Sequence, residues 1–472
     1  MQFHGRFWNP SRPDQAYAGR VKTKDGEPAL WVTSPADDVE VTHVFNREPV
    51  IFGRSTTGRN VTLWHTYAED NYLIEQATDD HDHFLWKQTY AYVIEGAHLP
   101  DPGAPLFRQS TATYKHLFYW AIHPREIAHD QATPPAFETA VLKNVYGLGI
   151  DAHVQIEDPP VVEDFASGGR RFHRFNGEDV RVSFTFDTPQ LLSTHQRLAF
   201  NLRDLLTFSY GRSATPLRQT LSVDPDSADL TYSYRQDIKK HEPQLHGSRM
   251  ALRPGQLSPE LMFPRWWDAT TELYPLTQIL AGRHYTKRAY IEGHVLAAVA
   301  ATERLYTQLK MPSTRFSKAF FDVRKRDIQS ADADRDARHE EQADFTKFLS
   351  EVLKNQPTFD TKLRGIAAYA NLDQIKAADI DVDLWVQKTK KVRNKLAHQG
   401  SHVDSLTRDD DQDWLGRVDD STRVILALAL RRWLGAEPLP LPQVRRVFRG
   451  RGTQHEPEPQ PGTAREGNPG GE

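Results

Sequence analysis

The spacing of apolar residues in this chain changes near residue 260, and the change predicts two architectures in one protein. Before it, short runs of aromatic and β-branched residues are separated by Gly, Pro, Asn and Asp, as in 29–33, 60–65, 116–121 and 180–186. Such runs are typical of strands joined by turns. After it, apolar residues recur every three or four positions, as in packed helices. We therefore predict an α+β multi-domain protein.

The first region, residues 1–260, is predicted to be β-rich, with a sheet of sandwich or barrel type. A sub-boundary is expected near residue 180, because a helical pattern over 189–210 follows it and strands then return over 217–223 and 230–234.

The second region, residues 261–436, is predicted to be an all-α bundle. Its helices are expected over 288–309, 342–354, 363–369 and 422–434, together with one basic helix before residue 400. The remaining residues, 437–472, are rich in Pro and Gly and have little to bury. We predict that this tail is disordered.

Composition excludes several classes of protein. The 472 residues contain no cysteine, which excludes disulfides, thiolate catalysis and cysteine-ligated metals. No apolar run reaches the roughly 18 residues that a membrane span needs, and the first residues lack the apolar segment of a signal peptide. A cytoplasmic protein without a membrane partner is therefore expected. The net charge of −4 gives no overall attraction to nucleic acid, so any such attraction must be local.

Basic residues are concentrated locally. Residues 281–326 hold ten Lys or Arg against three Asp or Glu, and every charged residue over 384–407 except Asp404 is basic. Acidic residues gather instead over 327–344 and 404–420. The segregation suits a basic groove with acidic loops elsewhere, although a charge run is also what an ordinary solvated face looks like.

Within the basic helix, Arg393, Asn394 and His398 form a compact chemical set. Arg393 is a permanent planar cation suited to a phosphate, and His398 can move a proton near neutral pH. On a helix, Asn394 and His398 share a face, whereas Arg393 lies about 140° from His398. Gly400 suggests a C-terminal cap and a fraying last turn that would bring the arginine closer. The alternative is a solvated basic face with a capping histidine.

The order R-N-x-x-x-H resembles the signature of HEPN ribonucleases. The opening Gly5-Arg6-Phe7-Trp8-Asn9-Pro10, followed by Gly19-Arg20-Val21 and a sheet-rich region, resembles the N-terminal domain of ApeA-type abortive-infection proteins, which carry a C-terminal HEPN bundle. The resemblance implies an antiphage endoribonuclease that cuts RNA, with tRNA as the first candidate, after its N-terminal domain senses a phage protein. It also implies a homodimer formed through the HEPN bundles.

The resemblance assigns roles to individual residues. Arg393 becomes the phosphate clamp, His398 the acid–base residue and Asn394 the polar orienter of a metal-independent reaction that needs no cofactor. Glu303 is expected either to orient the histidine or to pair with Arg393, unless it is only a surface residue. The basic residues expected to bind RNA are Lys388, Lys391, Lys395 and Arg288.

Two other functions are compatible with the sequence. The bundle could bind RNA or a nucleotide without cleaving RNA, or the whole chain could be an adaptor whose N-terminal sheet recognises a partner. Less favoured is a metal-dependent hydrolase built on His81 and His83, because that acidic segment is more typical of a polar turn.

Overall fold

The structure of this protein is a computed structural model with two compact units, residues 1–270 and 271–472. It describes residues 2–24, 27–35, 45, 48–64, 72–76, 83–115, 117–121, 139–157, 161–167, 170–175, 180–214, 216–223, 230–234, 249–285, 290–332, 355–398 and 409–448. The two units are described separately below.

Strands dominate the first unit, as predicted. They are β1 Gln2–Trp8, β2 Tyr17–Lys24, β3 Glu27–Pro35, β4 Val50–Ser55, β5 Asn60–Trp64, β6 Tyr72–Gln76, β7 His83–Thr89, β8 Tyr92–Glu95, β9 Phe107–Tyr114, β10 Ala140–Leu142, β11 Ala152–Glu157, β12 Val161–Ser167, β13 Arg170–Phe175, β14 Arg181–Gln190, β15 Pro216–Ser222 and β16 Leu230–Tyr234. Fourteen of them form one antiparallel sheet in the order β10-β11-β14-β9-β15-β16-β8-β5-β4-β1-β2-β3-β7-β6, and β12 pairs with β13.

Alternation along the strands separates a core face from a solvent face. Phe7 of β1 and Val21 of β2 are fully buried, whereas Arg6 and Arg20, one residue away, are exposed. Successive side chains of a strand point to opposite faces, so each of these strands contributes to the core and also presents polar groups to water. The core cluster continues through Leu30, Val32, Ile51, Val61, Leu63 and Val93.

The helices that accompany the sheet include α1 Leu117–Ala121, α2 Leu192–Tyr210 and α3 Pro259–Glu272. The strand predicted over 116–121 is therefore wrong. Trp120 is buried there, and its indole N–H donates to the carbonyl of Leu252 at 3.0 Å. We infer that this long-range packing overrides the strand preference of an aromatic run, because strand propensity depends strongly on context.

A buried histidine ties α2 to the sheet. His195 is fully buried, with Nε2 3.0 Å from the carbonyl of Phe107 and Nδ1 2.8 Å from the hydroxyl of Ser110. A carbonyl only accepts, so Nε2 carries the proton and Nδ1 accepts from the serine. Burial lowers the pKa of His195 to about 4, although the bond to Phe107 acts in the opposite direction. The imidazole is therefore neutral at pH 7.

The second unit is helical in its described residues, as predicted. Its helices are α4 Leu276–Gly282, α5 Ile291–Gln308, α6 Lys318–Asp332, α7 Phe359–Ala370, α8 Leu372–Ala377, α9 Val382–His398, α10 Asp409–Trp433 and α11 Leu441–Phe448. A core cluster joins three of them through Val295 and Val299 of α5, Val392 of α9, and Leu415 and Val418 of α10. The helix predicted over 342–354 lies outside the described residues.

The boundary predicted for the disordered tail is wrong. Residues 437–472 were expected to have no structure, but α11 lies inside this range and buries Val444, Val447 and Phe448. Apolar residues three and four apart form one helical stripe, and burial of that stripe outweighs the Pro and Gly around it. Residues 449–472 lie outside the described part of the chain.

The acidic stretch expected to form a loop over 404–420 enters α10 at Asp409, so much of it is helical. Within the described ranges, none of the helices combines the length and the apolar composition that crossing a membrane requires.

Candidate active site

The helix that carries the sequence motif, α9, is anchored on one side. Trp385, Thr389 and Val392 are each at most 3% exposed, and they follow one another at helical spacing. The indole N–H of Trp385 donates to the hydroxyl of Thr422 at 3.0 Å, and that hydroxyl donates to the carbonyl of Val418. These three positions form the buried face of α9. This anchoring fixes which residues of α9 face water.

Arg393, which follows the buried Val392, lies at the edge of the core with 39% of its side chain exposed. Its Nη2 is 3.6 Å from Oε1 of Glu303 on α5, and its Cζ lies 4.9 Å from the ring centroid of Phe359 at the start of α7. The ring provides a flat surface for the planar guanidinium, and the carboxylate restrains it from the side. The cation is therefore held in place while much of it remains open to solvent.

Glu303 lies between two cations. The same Oε1 atom that faces Arg393 is 3.8 Å from Nζ of Lys362, which is on α7. Of the two roles expected for Glu303, the structure contains the ion pair with Arg393. We call Arg393, Glu303, Phe359 and Lys362 the Arg393 cluster.

The other predicted residues lie at different places. Asn394 is exposed and adjacent to Arg393, and His398 is the last residue of α9, but the side chain of His398 is outside the description. Lys391 is exposed and its Nζ lies 5.6 Å from the ring centroid of Trp414 on α10. Lys388 and Lys395 are half-buried. Arg288 lies outside the described residues.

A second group of charges in the helical unit is more deeply buried. Asp419 of α10 is fully buried, and both of its oxygens accept from Nε of Arg423 at 2.9 Å. Arg283, which follows α4, is 3.0 Å from Asp419 and also pairs with Asp420. Burial raises the pKa of Asp420, whereas the neighbouring Arg283 acts to lower it. Because these charges neutralise one another and Arg423 also donates to the carbonyl of Ile279, we interpret the group as a tether between α4 and α10.

No metal-binding group of three or more His, Asp or Glu side chains is present in the described ranges of the chain. Of the two histidines considered for a metal site, His81 lies outside those ranges. His83 begins β7, but its side chain is not described. The described residues therefore do not test the metal-dependent alternative.

Two family models match the chain in the order of its two units. ApeA N-terminal domain 1 matches residues 2–266, more than half of the chain, and Apea-like HEPN matches residues 296–437. The chain belongs to the ApeA family. This is an antiphage HEPN nuclease family, and HEPN domains are generally ribonucleases. All four residues of the Arg393 cluster lie inside the HEPN match. No curated protein and no solved structure matches the chain.

Phe359 and Lys362 are not among the site residues that the sequence predicts. A signal for the helix that carries them exists, because Thr358 caps α7 by accepting from the backbone N–H of Thr361 at 3.2 Å, and Thr is a favoured cap residue. That signal marks the beginning of a helix. It does not indicate that the first turn lies against Arg393, which is 34 positions further along the sequence.

Proposed function

We propose that this protein is an antiphage endoribonuclease that cuts RNA by metal-independent transphosphorylation, with tRNA as the first candidate substrate. The observation that supports the proposal best is Arg393, held between Glu303 and Phe359 yet open to solvent, on a helix that ends five residues later at His398. A partly exposed, pre-oriented guanidinium suits the bidentate binding of a phosphate.

In the proposed reaction the ribose 2'-oxygen attacks the adjacent phosphorus, and the bond between phosphorus and the 5'-oxygen breaks. Arg393 offsets the negative charge that develops on the phosphoryl oxygens. His398 transfers a proton, and Asn394 orients the reacting groups. The products are a 2',3'-cyclic phosphate and a 5'-hydroxyl. Lys388, Lys391, Lys395 and Arg288 are proposed to bind the RNA backbone, so affinity should fall steeply with added salt.

His398→Ala tests the catalytic assignment. The purified variant should lose RNA cleavage while its circular dichroism spectrum and unfolding midpoint remain those of the wild type, because a polar residue in the last turn of a helix contributes little to a core. The ends of the wild-type products should carry cyclic phosphate. A His398→Ala protein that cleaves at the wild-type rate contradicts the assignment, and a wild-type protein that binds RNA without cutting it supports the binding or adaptor function.

The active species is proposed to be a homodimer formed through the HEPN domains. Transphosphorylation benefits from one group that removes the 2'-proton and another that protonates the leaving oxygen, and each chain supplies one histidine in the motif. Two-fold pairing would bring two copies of Arg393 and His398 together. Mixing Arg393→Ala chains with His398→Ala chains tests this. Partial recovery of RNA cleavage in the mixture indicates independent or complementing sites, and no recovery favours a composite site that needs every copy. An enzyme that is active but monomeric in light scattering contradicts the dimer.

The N-terminal domain is proposed to restrain the nuclease until a phage protein binds. Full-length protein should leave RNA intact in uninfected cells and cut it after infection, and sequencing of RNA ends under both conditions identifies the substrate. Equal cutting with and without phage would argue against restraint.

A further inference from the structure

The solvent face of the N-terminal sheet contains an open cavity with a volume of about 780 Å³. It is lined by Arg6 of β1, Arg20 of β2, Trp31 of β3 and Arg54 of β4, and we call these four residues the arginine basin. Gly5 and Gly19 also line the cavity. A Cβ atom on Gly5 would lie 2.4 Å from the carbonyl oxygen of Arg54, and one on Gly19 would lie 2.7 Å from that of Trp31, so neither position accepts a side chain without moving a strand.

The strand register brings like charges together in this basin. Arg6 lies directly opposite Arg54 across the β1–β4 pair. Like charges directly opposite each other destabilise a sheet. In the part of the chain that the structure describes, no carboxylate forms an ion pair with Arg6, Arg20 or Arg54. The three positive charges are therefore not neutralised by the described protein groups.

Each guanidinium is instead oriented by an uncharged partner. Arg6 donates from Nη2 to the carbonyl of Ala16 at 3.1 Å, and Arg54 donates from Nε to the carbonyl of Gly58 at 3.3 Å. Arg20 lies opposite Trp31 in the β2–β3 pair, with its Cζ 5.5 Å from the ring centroid. A guanidinium has five N–H donors and each bond uses one. The arginines are thus restrained while most of their donors remain available to an anion.

We propose that the arginine basin binds a nucleoside phosphate, with the three arginines on the phosphate groups and the ring of Trp31 beside the base. Arginine forks match phosphate oxygens, and stacking on an aromatic side chain is how proteins hold unpaired bases. The cavity volume lies within the usual range of roughly 300–1,000 Å³ for small-molecule sites. Lys87, whose Nζ lies 4.8 Å from the Trp31 ring centroid, adds a fourth positive charge nearby.

An acidic peptide fits the basin less well. Extended peptides gain much of their affinity by adding a strand to an open sheet edge. The basin strands β4, β1, β2 and β3 each have a paired strand on both sides, so their backbone groups are already used. A ligand of the basin must therefore be recognised by side chains. Three arginines and one aromatic ring suit a ligand that has several phosphate charges and a planar base. The ligand is either a free nucleotide or a nucleotide within an RNA strand.

Calorimetric titration of the full-length protein tests the proposal. The probes are ATP, inorganic tripolyphosphate, an acidic glutamate peptide, and an eight-residue 2'-O-methyl oligonucleotide, which cannot undergo transphosphorylation. Binding to these probes is independent of the proposed nuclease activity. The test variant is Arg6→Gln combined with Arg54→Gln. Its matched control is Arg59→Gln combined with Arg218→Gln, which removes the same charge from exposed positions outside the basin.

ATP should bind in a saturable manner, and the basin variant should weaken it at least about tenfold, since charge-assisted hydrogen bonds are the strong ones. The control variant should match the wild type. Trp31→Leu should abolish the preference for ATP over tripolyphosphate, because the base loses its aromatic partner. If only the oligonucleotide binds, and the basin variant weakens it, the ligand is a nucleotide within a strand.

Three results would overturn the proposal. The first is that neither ATP nor the oligonucleotide binds. The second is that both bind equally to the wild type and the basin variant. The third is that the glutamate peptide alone binds through the basin, which would make it a site for acidic protein segments.

Discussion

Two groups of arginines, one in each unit of this protein, have opposite kinds of partner. In the helical unit, Arg283 and Arg423 are paired with Asp419, which is fully buried, and Arg393 is 3.6 Å from Glu303. In the N-terminal unit, Arg6 and Arg54 lie opposite each other, and among the described residues their hydrogen-bond partners are backbone carbonyls. Paired charges stabilise a particular arrangement of helices, whereas charges without a counter-ion retain their attraction for a ligand. The degree of pairing therefore separates structural arginines from those that are available for binding.

Arg393 lies between these extremes and gives the largest expected effect. Arg393→Ala should lower RNA cleavage at least about a hundredfold, because a donor that stabilises transition-state charge is lost. Arg393→Lys should restore little, since a point charge lacks the planar fork. Arg432→Ala is the matched control, because Arg432 also lies over an aromatic ring of α7, with Cζ 4.7 Å from the centroid of Tyr369. Equal losses in both variants would assign Arg393 to packing rather than to catalysis.

The buried Asp419 should dominate stability. Asp419→Asn leaves Arg423 and Arg283 without the carboxylate between them, and loss of one partner of a buried pair costs about 3 kcal/mol or more in unfolding free energy. The control is Asp360→Asn, since Asp360 and Arg364 form the same i,i+4 pair at exposed positions, where such pairs contribute less than about 1 kcal/mol. Urea unfolding of both variants measures the difference. Equal costs would mean that burial does not determine what these pairs contribute.

The N-terminal unit buries His195, whose hydrogen-bond partners among the described residues are uncharged, and this burial predicts a pH dependence of stability. Burial lowers the pKa of His195 to about 4, whereas an unfolded histidine titrates near 6.5. Between these values the unfolded chain binds the extra proton, so stability should fall as the pH falls from about 6.5 to about 4, by roughly 2–3 kcal/mol. Urea titrations should show this slope in the wild type and in His153→Gln, and a smaller slope in His195→Gln. An unchanged slope in His195→Gln would contradict the assignment.

Glu303→Gln should have a moderate effect on activity. Loss of the carboxylate leaves Arg393 with a stronger net charge but a poorer orientation, so kcat should fall about tenfold while KM stays equal or decreases. Glu303→Asp should restore part of kcat. Steady-state kinetics on a labelled RNA measure both parameters. A rise in KM with kcat unchanged would indicate that Glu303 contributes to RNA binding instead.

The smallest effect is expected in the basin. Arg6→Gln should change the unfolding free energy by less than about 0.5 kcal/mol, and the sign should be stabilising, since it removes repulsion with Arg54. The measurement is thermal or urea unfolding at low salt. Destabilisation above 1 kcal/mol would show that Arg6 is structural, and the contrast between the basin arginines and the carboxylate-paired arginines would then disappear.

Much of the fold could be predicted from the sequence because alternation and helical spacing reflect burial directly. Val295 and Val299 repeat at helical spacing and are buried, and the aromatic run at 180–186 belongs to β14. The failures share one cause, which is long-range packing. Trp120 lies in a helix and donates to the distant Leu252. In α11, the side chains of Val444, Val447 and Phe448 are buried, and we infer that this burial stabilises the helix. Local patterns contain no information about such partners.

The candidate site could be predicted only in part for the same reason. A six-residue motif within one helix identifies Arg393, Asn394 and His398 as candidate catalytic residues. The carboxylate at Glu303 and the ring at Phe359 come from α5 and α7, and only the folded bundle brings them within reach of Arg393. The basin is similar, since Arg6, Arg20 and Arg54 lie on three strands and become neighbours through the sheet register.

The position of α10 in the chain has a consequence for synthesis on the ribosome. The apolar stripe of α5, including Val295 and Val299, is covered by Leu415 and Val418, which are translated more than a hundred residues later. A nascent chain that stops before α10 leaves this stripe in contact with water. The Thr422 partner of Trp385 is absent as well. Premature termination before α10 therefore yields a helical unit whose core around the motif helix is incomplete, and we expect such products to be cleaved by proteases more readily than the full-length protein.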